Sequence, residues 1–297
     1  MLFEQKIKQV KLTANEQLIA NYILSHKNQL KDISSRQIAR ETYTSSSTVI
    51  RFAQKLGYDG FEQLKEQYLK ELQYLQSHFQ EINPNIPFNQ EHTIMDIAGI
   101  MKSLVVESVE DTFSLIDHDT LQQAIQILKK SHHIYIYAIE NIENIAKNFK
   151  YKMLRIGKTV IFEESFGNQF YHSMNANQND CAILISYSGE TPRVIEIAKI
   201  LKANDVKIIT ITSYGENELN TLADTSLTIS SREAMQSKIA NFTTEYSISL
   251  ILDILYSCYF SLNYKENLDY KISKTKAFEG NRKAPLTLIE KNLIHNG

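Results

Sequence analysis

The sequence predicts two domains of different class: an all-α domain at the N-terminus, then a three-layer α/β domain on a five-stranded parallel sheet. Three observations carry this. Between Thr13 and Leu56, apolar residues recur at helical spacing, each run opened by a capping residue. From Ile134 to Ile229, short β-branched runs alternate with helical ones, the pattern of a parallel sheet covered on both faces. Between these regions, Ile82 to Asn89 lacks periodicity and holds two of the four prolines. The division that follows is 1–79 for the helical domain, 80–91 for a linker, 92–263 for the α/β domain and 264–297 for a basic C-terminal tail with little periodicity.

In the helical domain, Leu12-Thr13-x-x-Glu16 begins like a capping box, and Leu18, Ile19, Tyr22 and Ile23 follow at helical spacing. Ser34-x-x-Gln37 opens a second helix, with Ile38 and Ala39 inward, that ends near Thr42. Tyr43, Thr44 and Ser45 make the turn, and a third helix then runs to the stop signal Gly57. Two short helices joined in this way suggest a helix-turn-helix. Val49, Phe52, Ala53 and Leu56 share the inner face of the third helix. Its outer face offers Ser46, Ser47 and Thr48 to base edges, with Arg51 in reach of a guanine or a phosphate, while Lys55 and Arg36 suit phosphate contacts. By periodicity alone, a merely solvated polar face would look the same. Residues 1–70 carry eleven basic and seven acidic side chains, so this part bears +4 and the rest −6 in a chain of net charge −2, which points toward nucleic acid. Leu64 to Phe79 continues as a helix.

The α/β domain opens with helical spacing from His92 to Phe113 and a shorter helix from Leu121 to Leu128. Strands are expected over 134–137, 158–162, 181–186, 206–212 and 226–229, with helices over 142–156, 166–175 and 192–203 between them. A long closing helix from Ile239 to Leu262 has Ile248, Ile251, Leu252, Leu255 and Tyr259 as its apolar stripe. In such sheets ligands lie beyond the strand C-termini. The third strand stops at Ser186-Tyr187-Ser188-Gly189-Glu190-Thr191, and Pro192 suits the first turn of the next helix. A helix N-terminus favours anions, the hydroxyls of Ser186, Ser188 and Thr191 add neutral donors, and Gly189 admits a close approach. The residues alone leave two readings open, a phosphate cradle or a plain helix cap.

A chain of 297 residues with 43% hydrophobic content can bury more than one core. Cys181 and Cys258 are far apart and read as buried hydrophobes in a reducing cytoplasm. His132 and His133 read as loop residues without a metal partner at a telling spacing, and neither a metal nor a cofactor is expected. No charged-then-apolar leader is seen, and the apolar run Tyr246 to Leu262 is broken by Asp253 and serines, so neither a signal peptide nor a membrane span is expected.

The hexad Ser186-x-Ser188-Gly189-Glu190-Thr191 ahead of the strand Lys207-Ile-Ile-Thr-Ile-Thr-Ser213 resembles the SIS (sugar isomerase) domain. That resemblance implies a flavodoxin-like strand order, a sugar phosphate held at Ser186, Tyr187, Ser188, Gly189 and Thr191, and a closing helix that serves in dimers. Leu12-Thr13 through Ile19-Ala20-Asn21-Tyr22-Ile23-Leu24, Ser34-x-x-Gln37-Ile38-Ala39, Ser47-Thr48-Val49-Ile50-Arg51-Phe52 and Lys55-Leu56-Gly57-Tyr58-x-Gly60-Phe61 are similar to the helix-turn-helix domain of RpiR-type bacterial transcriptional regulators. Together they imply a cytoplasmic homodimer or tetramer that binds a palindromic double-stranded operator, senses a phosphorylated sugar and regulates sugar or amino-sugar genes.

Three departures from the family pattern stand out. Tyr43 and Thr44 occupy a turn that usually has a glycine and then an aliphatic residue. Ala138-Ile139-Glu140-Asn141-Ile142 stands for a Gly-x-Gly-x-Ser loop, so Glu140 replaces a glycine and Ile142 a serine. Glu245 stands where relatives often carry an arginine. Glu140, Asn141, Ile142 and Glu245 therefore become candidate ligand contacts of altered type. A neutral hydrogen bond contributes about 1 kcal/mol net. A carboxylate about 4 Å from a unit negative charge costs about 4 kcal/mol at an effective dielectric near ~20. Glu140 therefore opposes a bare phosphate unless it turns to solvent or pairs with a cationic group of the ligand, such as an amino sugar's ammonium. Two other classes remain: an aldose–ketose isomerase with Glu140, Glu143, Glu190 or Glu245 as its base, none with an evident acid partner, and a SIS domain that only dimerises.

Overall fold

Thr13 and Glu16 close a capping box, the Thr13 amide donating to Glu16 Oε2 (2.8 Å) and the Glu16 amide to Thr13 Oγ1 (3.4 Å), and so start α1, Ala14–Ser25. The structure is a computed structural model that describes residues 10–78 and 82–279 together with Phe3, Lys6 and Ile7. A 3₁₀ turn over Lys27–Asp32, unforeseen in the sequence, leads to α2 (Ser35–Glu41), α3 (Ser46–Lys55) and α4 (Phe61–His78). Ser34 and Ser45 cap α2 and α3 by accepting the amide three residues on, each at 3.2 Å. Ile19, Ile23, Ile38, Val49, Phe52 and Leu64 meet in one buried cluster, which fixes the angle between α2 and α3. The helix expected to reach Phe79 is described to His78, and Phe79 lies outside the described residues.

Tyr43 explains why a glycine suits this turn. It has φ +53° and is 97% exposed, while the amides of Tyr43 and Thr44 return to the carbonyls of Arg40 (3.3 Å) and Ala39 (2.8 Å). The left-handed residue that ends α2 has kept its conformation without the residue type that adopts it freely. Since its ring is fully in water, Tyr43→Gly relieves the strain and loses no packing. The expected gain is about 0.5–1 kcal/mol after the extra chain entropy of glycine, read as a higher urea midpoint; a lower midpoint contradicts it.

The α/β domain runs α5 (Ile94–Ser114), α6 (His118–Lys130), β1 (Ile134–Tyr137), α7 (Glu143–Leu154), β2 (Val160–Ile161), α8 (Phe166–Asn175), β3 (Cys181–Ile185), α9 (Pro192–Ala203), β4 (Lys207–Ser213), α10 (Glu218–Leu222), β5 (Thr225–Ile229) and α11 (Thr244–Ser261). Helix α6 starts earlier than the apolar spacing suggests because Asp117 caps it, accepting from the Thr120 amide at 2.9 Å. All strand pairings are parallel, in the flavodoxin-like order β2-β1-β3-β4-β5. Strand alternation sends Cys181, Ile183 and Ile185 to the face covered by α6, α7 and α11, and Ala182 and Leu184 to the face covered by α9 and α10.

Two expectations need correcting. The closing helix begins at Thr244, not Ile239, because the carboxylate of Glu233 sets its start: Glu233 Oε1 accepts from the Thr243 and Thr244 amides and Oε2 from Thr244 Oγ1 (2.6 Å). Residues 230–243 form an irregular strap instead. The stripe of Ile248, Ile251, Leu252 and Leu255 lies in the chain's own core. Residues 264–279 are not a tail but a helix, α12 (Tyr264–Glu279), tied down by Asn267 Nδ2 donating to the Phe260 carbonyl (2.9 Å) and by Tyr270 resting on Gly157. The rest of that segment, 280–297, lies outside the described residues. Among the described residues, no helix is long and apolar enough to cross a membrane.

Candidate functional site

The loops after β1 and β3 face each other, because these strands are neighbours at the point where the sheet order reverses. Between them and the strap lies a cavity of about 230 Å³ lined by Ser186, Tyr187, Ser188 and Thr191 on one side, Glu140, Asn141 and Ile142 on another, and Met235, Lys238 and Thr244 above. Ser186 Oγ and Thr191 Oγ1 are 2.7 Å apart, Ser186 Oγ accepts from the Gly189 amide (3.1 Å), and Ser188 Oγ accepts from the Glu190 amide (3.1 Å). Thr191 is the N-cap of α9, and its own side chain does not cap, so its hydroxyl stays with the cavity. The arrangement is a ring of neutral donors at the positive end of a helix.

Two of the expected contacts are placed differently. The Tyr187 hydroxyl donates to the Glu233 carbonyl (2.8 Å) and accepts from the Glu233 amide (3.0 Å), so it holds the strap while the residue lines the cavity. Burial, with the Glu233 carboxylate second, pushes its phenol far above the usual range. Gly189 does not border the cavity. Its φ is +67°, and a Cβ there would stand 2.1 Å from the Asn217 side chain, so the space expected for a ligand holds a residue of the same chain.

The divergent loop splits likewise. Glu140 has φ +57° and is exposed at the rim of the cavity, again a left-handed backbone at a residue other than glycine. Asn141 Nδ2 donates to Glu245 Oε1 (3.1 Å), which draws Glu245 to this loop, although Glu245 does not line the cavity. Glu190 is occupied elsewhere, accepting the Glu218 amide at 2.9 Å.

Lys238 was not singled out in the sequence. It lines the cavity, is 15% exposed, lies 5.5 Å over the Tyr187 ring and pairs at 3.3 Å with Glu233, whose side chain is fully buried. The available signal was positional: any polar residue just after the C-terminus of β5 is on the ligand side of a parallel sheet. A larger hollow of about 660 Å³, between Lys6 and Lys55 of the helical domain and Glu190, Glu216 and Glu218, has the wrong charge for an anion on its α/β side.

On the helical domain, Ser47 and Arg51 are exposed and Ser46 and Thr48 half-buried along one side of α3, and Arg36 is exposed on α2. Ser45 Oγ lies 2.7 Å from Ser47 Oγ and 2.9 Å from Thr48 Oγ1, which gathers the hydroxyls at the start of α3. Lys55 sits at the other end, where its ammonium donates to the Lys11 carbonyl (2.9 Å) and Glu16 Oε2 (2.6 Å) within the domain. The structure brings Asp180 to His132 and His133, with one donor atom of each within 4.8 Å of the others. Asp180 is already occupied, accepting from the His133 amide and from the backbone and side chain of Asn177, and this closes the turn before β3.

Residues 1–83 match the model of the helix-turn-helix domain of the rpiR family, and residues 127–256 match the SIS domain. The chain joins an rpiR-family helix-turn-helix domain to a SIS domain. A relative from Clostridium perfringens, an HTH-type transcriptional regulator, is 28% identical over 267 residues, which is 90% of this chain and 94% of the relative. Vibrio vulnificus NanR complexed with ManNAc-6P shares the fold at a TM-score of 0.62 and 21% identity, over 92% of this chain and 96% of NanR. The sugar isomerase domain of an RpiR transcription factor from Sphaerobacter thermophilus aligns at a TM-score of 0.53 and 12% identity, over 61% of this chain and 98% of that domain. The SIS match spans the cradle of Ser186, Ser188 and Thr191 and the loop that carries Glu140 and Ile142.

Proposed function

We propose that the chain is a cytoplasmic DNA-binding regulator of sugar or amino-sugar genes, controlled by a phosphorylated sugar in the SIS cavity. The observation that carries this reading is the meeting of Ser186, Ser188, Thr191 and Lys238 around one hollow at the sheet's switch point, in a chain that also has a helix-turn-helix domain. The Clostridium perfringens relative supports the DNA half, and the ManNAc-6P complex of NanR supports an amino-sugar phosphate. Ser46, Ser47, Thr48 and Arg51 are the base-facing residues of this reading, and Arg36 a phosphate contact. A homodimer presents two such helices to a palindrome whose half-sites lie about 34 Å apart or a multiple of it. A sensor is preferred to an isomerase on the DNA-binding domain and on the position of Glu140, the one carboxylate that borders the cavity among the described residues, which is exposed at its rim.

Calorimetry of the purified chain with ManNAc-6P and a panel of other sugar phosphates tests the effector, and anisotropy with a duplex from upstream of its own gene tests the DNA. The expected result is heat with at least one sugar phosphate, a change in DNA affinity when it is present, and no product in an isomerase assay. Heat with none, or turnover of any, overturns the reading. Within it, Glu140→Gly both relaxes the backbone and removes a carboxylate from the rim. Affinity for a sugar phosphate without an amino group then rises on the order of tenfold, the effect of about 1.4 kcal/mol of lost repulsion. An unchanged affinity places Glu140 in solvent.

A further inference from the structure

The strap that roofs the cavity is hydrogen-bonded on its other side to the segment joining the two domains. Asn85 Oδ1 accepts the Ala234 amide (2.6 Å), Asn85 Nδ2 donates to the Arg232 carbonyl (3.3 Å), and the Asn85 carbonyl accepts the Ile239 amide (2.9 Å). Arg232 Nη2 adds a bond to the Ile82 carbonyl (2.9 Å). One side chain and one carbonyl thus reach strap positions on both sides of Lys238, from a residue that does not itself border the cavity. The opposite edge of the strap is held by the Tyr187 hydroxyl, which comes from within the cradle motif.

We propose that Asn85 is the coupling residue between the SIS cavity and the DNA-binding domain. The inference rests on the reading of the cavity as an effector site. An anion between Ser188 and Lys238 competes with Glu233 for the Lys238 ammonium, while Glu233 keeps its Thr243 and Thr244 donors. The strap between Glu233 and Ile239 therefore has two arrangements, one with Lys238 on Glu233 and one with Lys238 on the guest. Because Asn85 grips that interval at Ala234 and Ile239, each arrangement carries its own placement of the linker, and through it of the helical domain. The grip needs a donor for the Arg232 carbonyl and an acceptor for the Ala234 N–H on one side chain, which the Asn85 amide supplies and alanine does not. By linkage, what an effector does to DNA affinity, DNA must do to the strap.

The test uses the full chain and Asn85→Ala. In the first arm, hydrogen exchange of the strap is followed with and without the upstream duplex and with no sugar present. Duplex binding is expected to change protection of the Ala234 amide, which the Asn85 side chain holds, at least fivefold in the native chain and less than twofold in Asn85→Ala. Equal changes in both proteins, or none in the native chain while the duplex is bound, overturn the proposal. In the second arm, ManNAc-6P is titrated into each protein, and DNA affinity is measured with and without it. Asn85→Ala is expected to bind the sugar and the duplex each within threefold of the native chain, yet to lose at least four-fifths of the effect of one on the other. A full effect in Asn85→Ala overturns the proposal. If ManNAc-6P gives no heat with the native chain, that choice of effector fails, and the first arm still decides the role of Asn85.

Discussion

Lys238→Met weakens sugar-phosphate binding on the order of ten- to a hundredfold, the effect of losing a charge-assisted hydrogen bond of about 1.5–3 kcal/mol. The loss has two parts. The ammonium is the one cation that borders the cavity among the described residues, so the guest's charge then meets neutral hydroxyls alone. The Glu233 carboxylate, fully buried beside it, also loses its counter-charge and adds repulsion. Calorimetry against a sugar phosphate that binds the native chain measures both parts together. Lys199→Met is the matched control, since Lys199 pairs with Glu218 on the surface at 2.7 Å and should leave affinity within twofold. If the two substitutions weaken binding equally, Lys238 has no special place in the cavity.

Gly189→Ala destabilises the SIS domain by about 2–4 kcal/mol. About 1 kcal/mol comes from an alanine held at φ +67°. The remainder comes from Asn217, whose side chain would stand 2.1 Å from the new methyl group and has to move. It cannot move freely: Asn217 caps α10 by accepting the Asn220 amide (3.0 Å) and donates to Thr212 Oγ1 (3.2 Å) in a buried position. Losing such a cap costs about 1–2 kcal/mol, and leaving its buried partners unpaired adds to it. The mechanism is tested by a double-mutant cycle. In an Asn217→Gly background the cost of Gly189→Ala should fall to about 1 kcal/mol, the backbone part alone. A cost that stays the same in both backgrounds sinks the steric account.

The parts of the fold that were legible in the sequence are those set by local chemistry. Thr13, Ser34 and Ser45 announce three helices because a cap acts over three residues. The run Cys181–Ile185 announces a strand because a two-sided apolar strand needs no distant information. What was illegible depends on residues far apart in the chain. The start of α11 is fixed by Glu233, ten residues earlier, and the strap by Asn85, some 149 residues from the Ala234 amide it holds. No window of periodicity contains both partners. Helix α12 was missed because its anchorage, Tyr270 on Gly157, is equally remote. The candidate site shows the same division. The hydroxyls of 186–191 were visible as a motif, while Lys238 acquires meaning only when the strap folds over them. At Tyr43 and Glu140 the sequence showed residues unusual for the resembled family, and the structure shows that both are left-handed.

The ion pair between Lys238 and Glu233 sets an entrance condition for the hollow it guards. Its ammonium already faces an anion, so a visitor has to share that positive charge with a buried carboxylate. Chloride or acetate brings one charge, no more than the carboxylate it has to share the ammonium with. A phosphate ester bears close to two at neutral pH, and at equal distance twice the charge doubles the attraction. If the hollow is the effector site proposed above, the internal carboxylate raises the threshold for monovalent salt more than for a phosphoryl group.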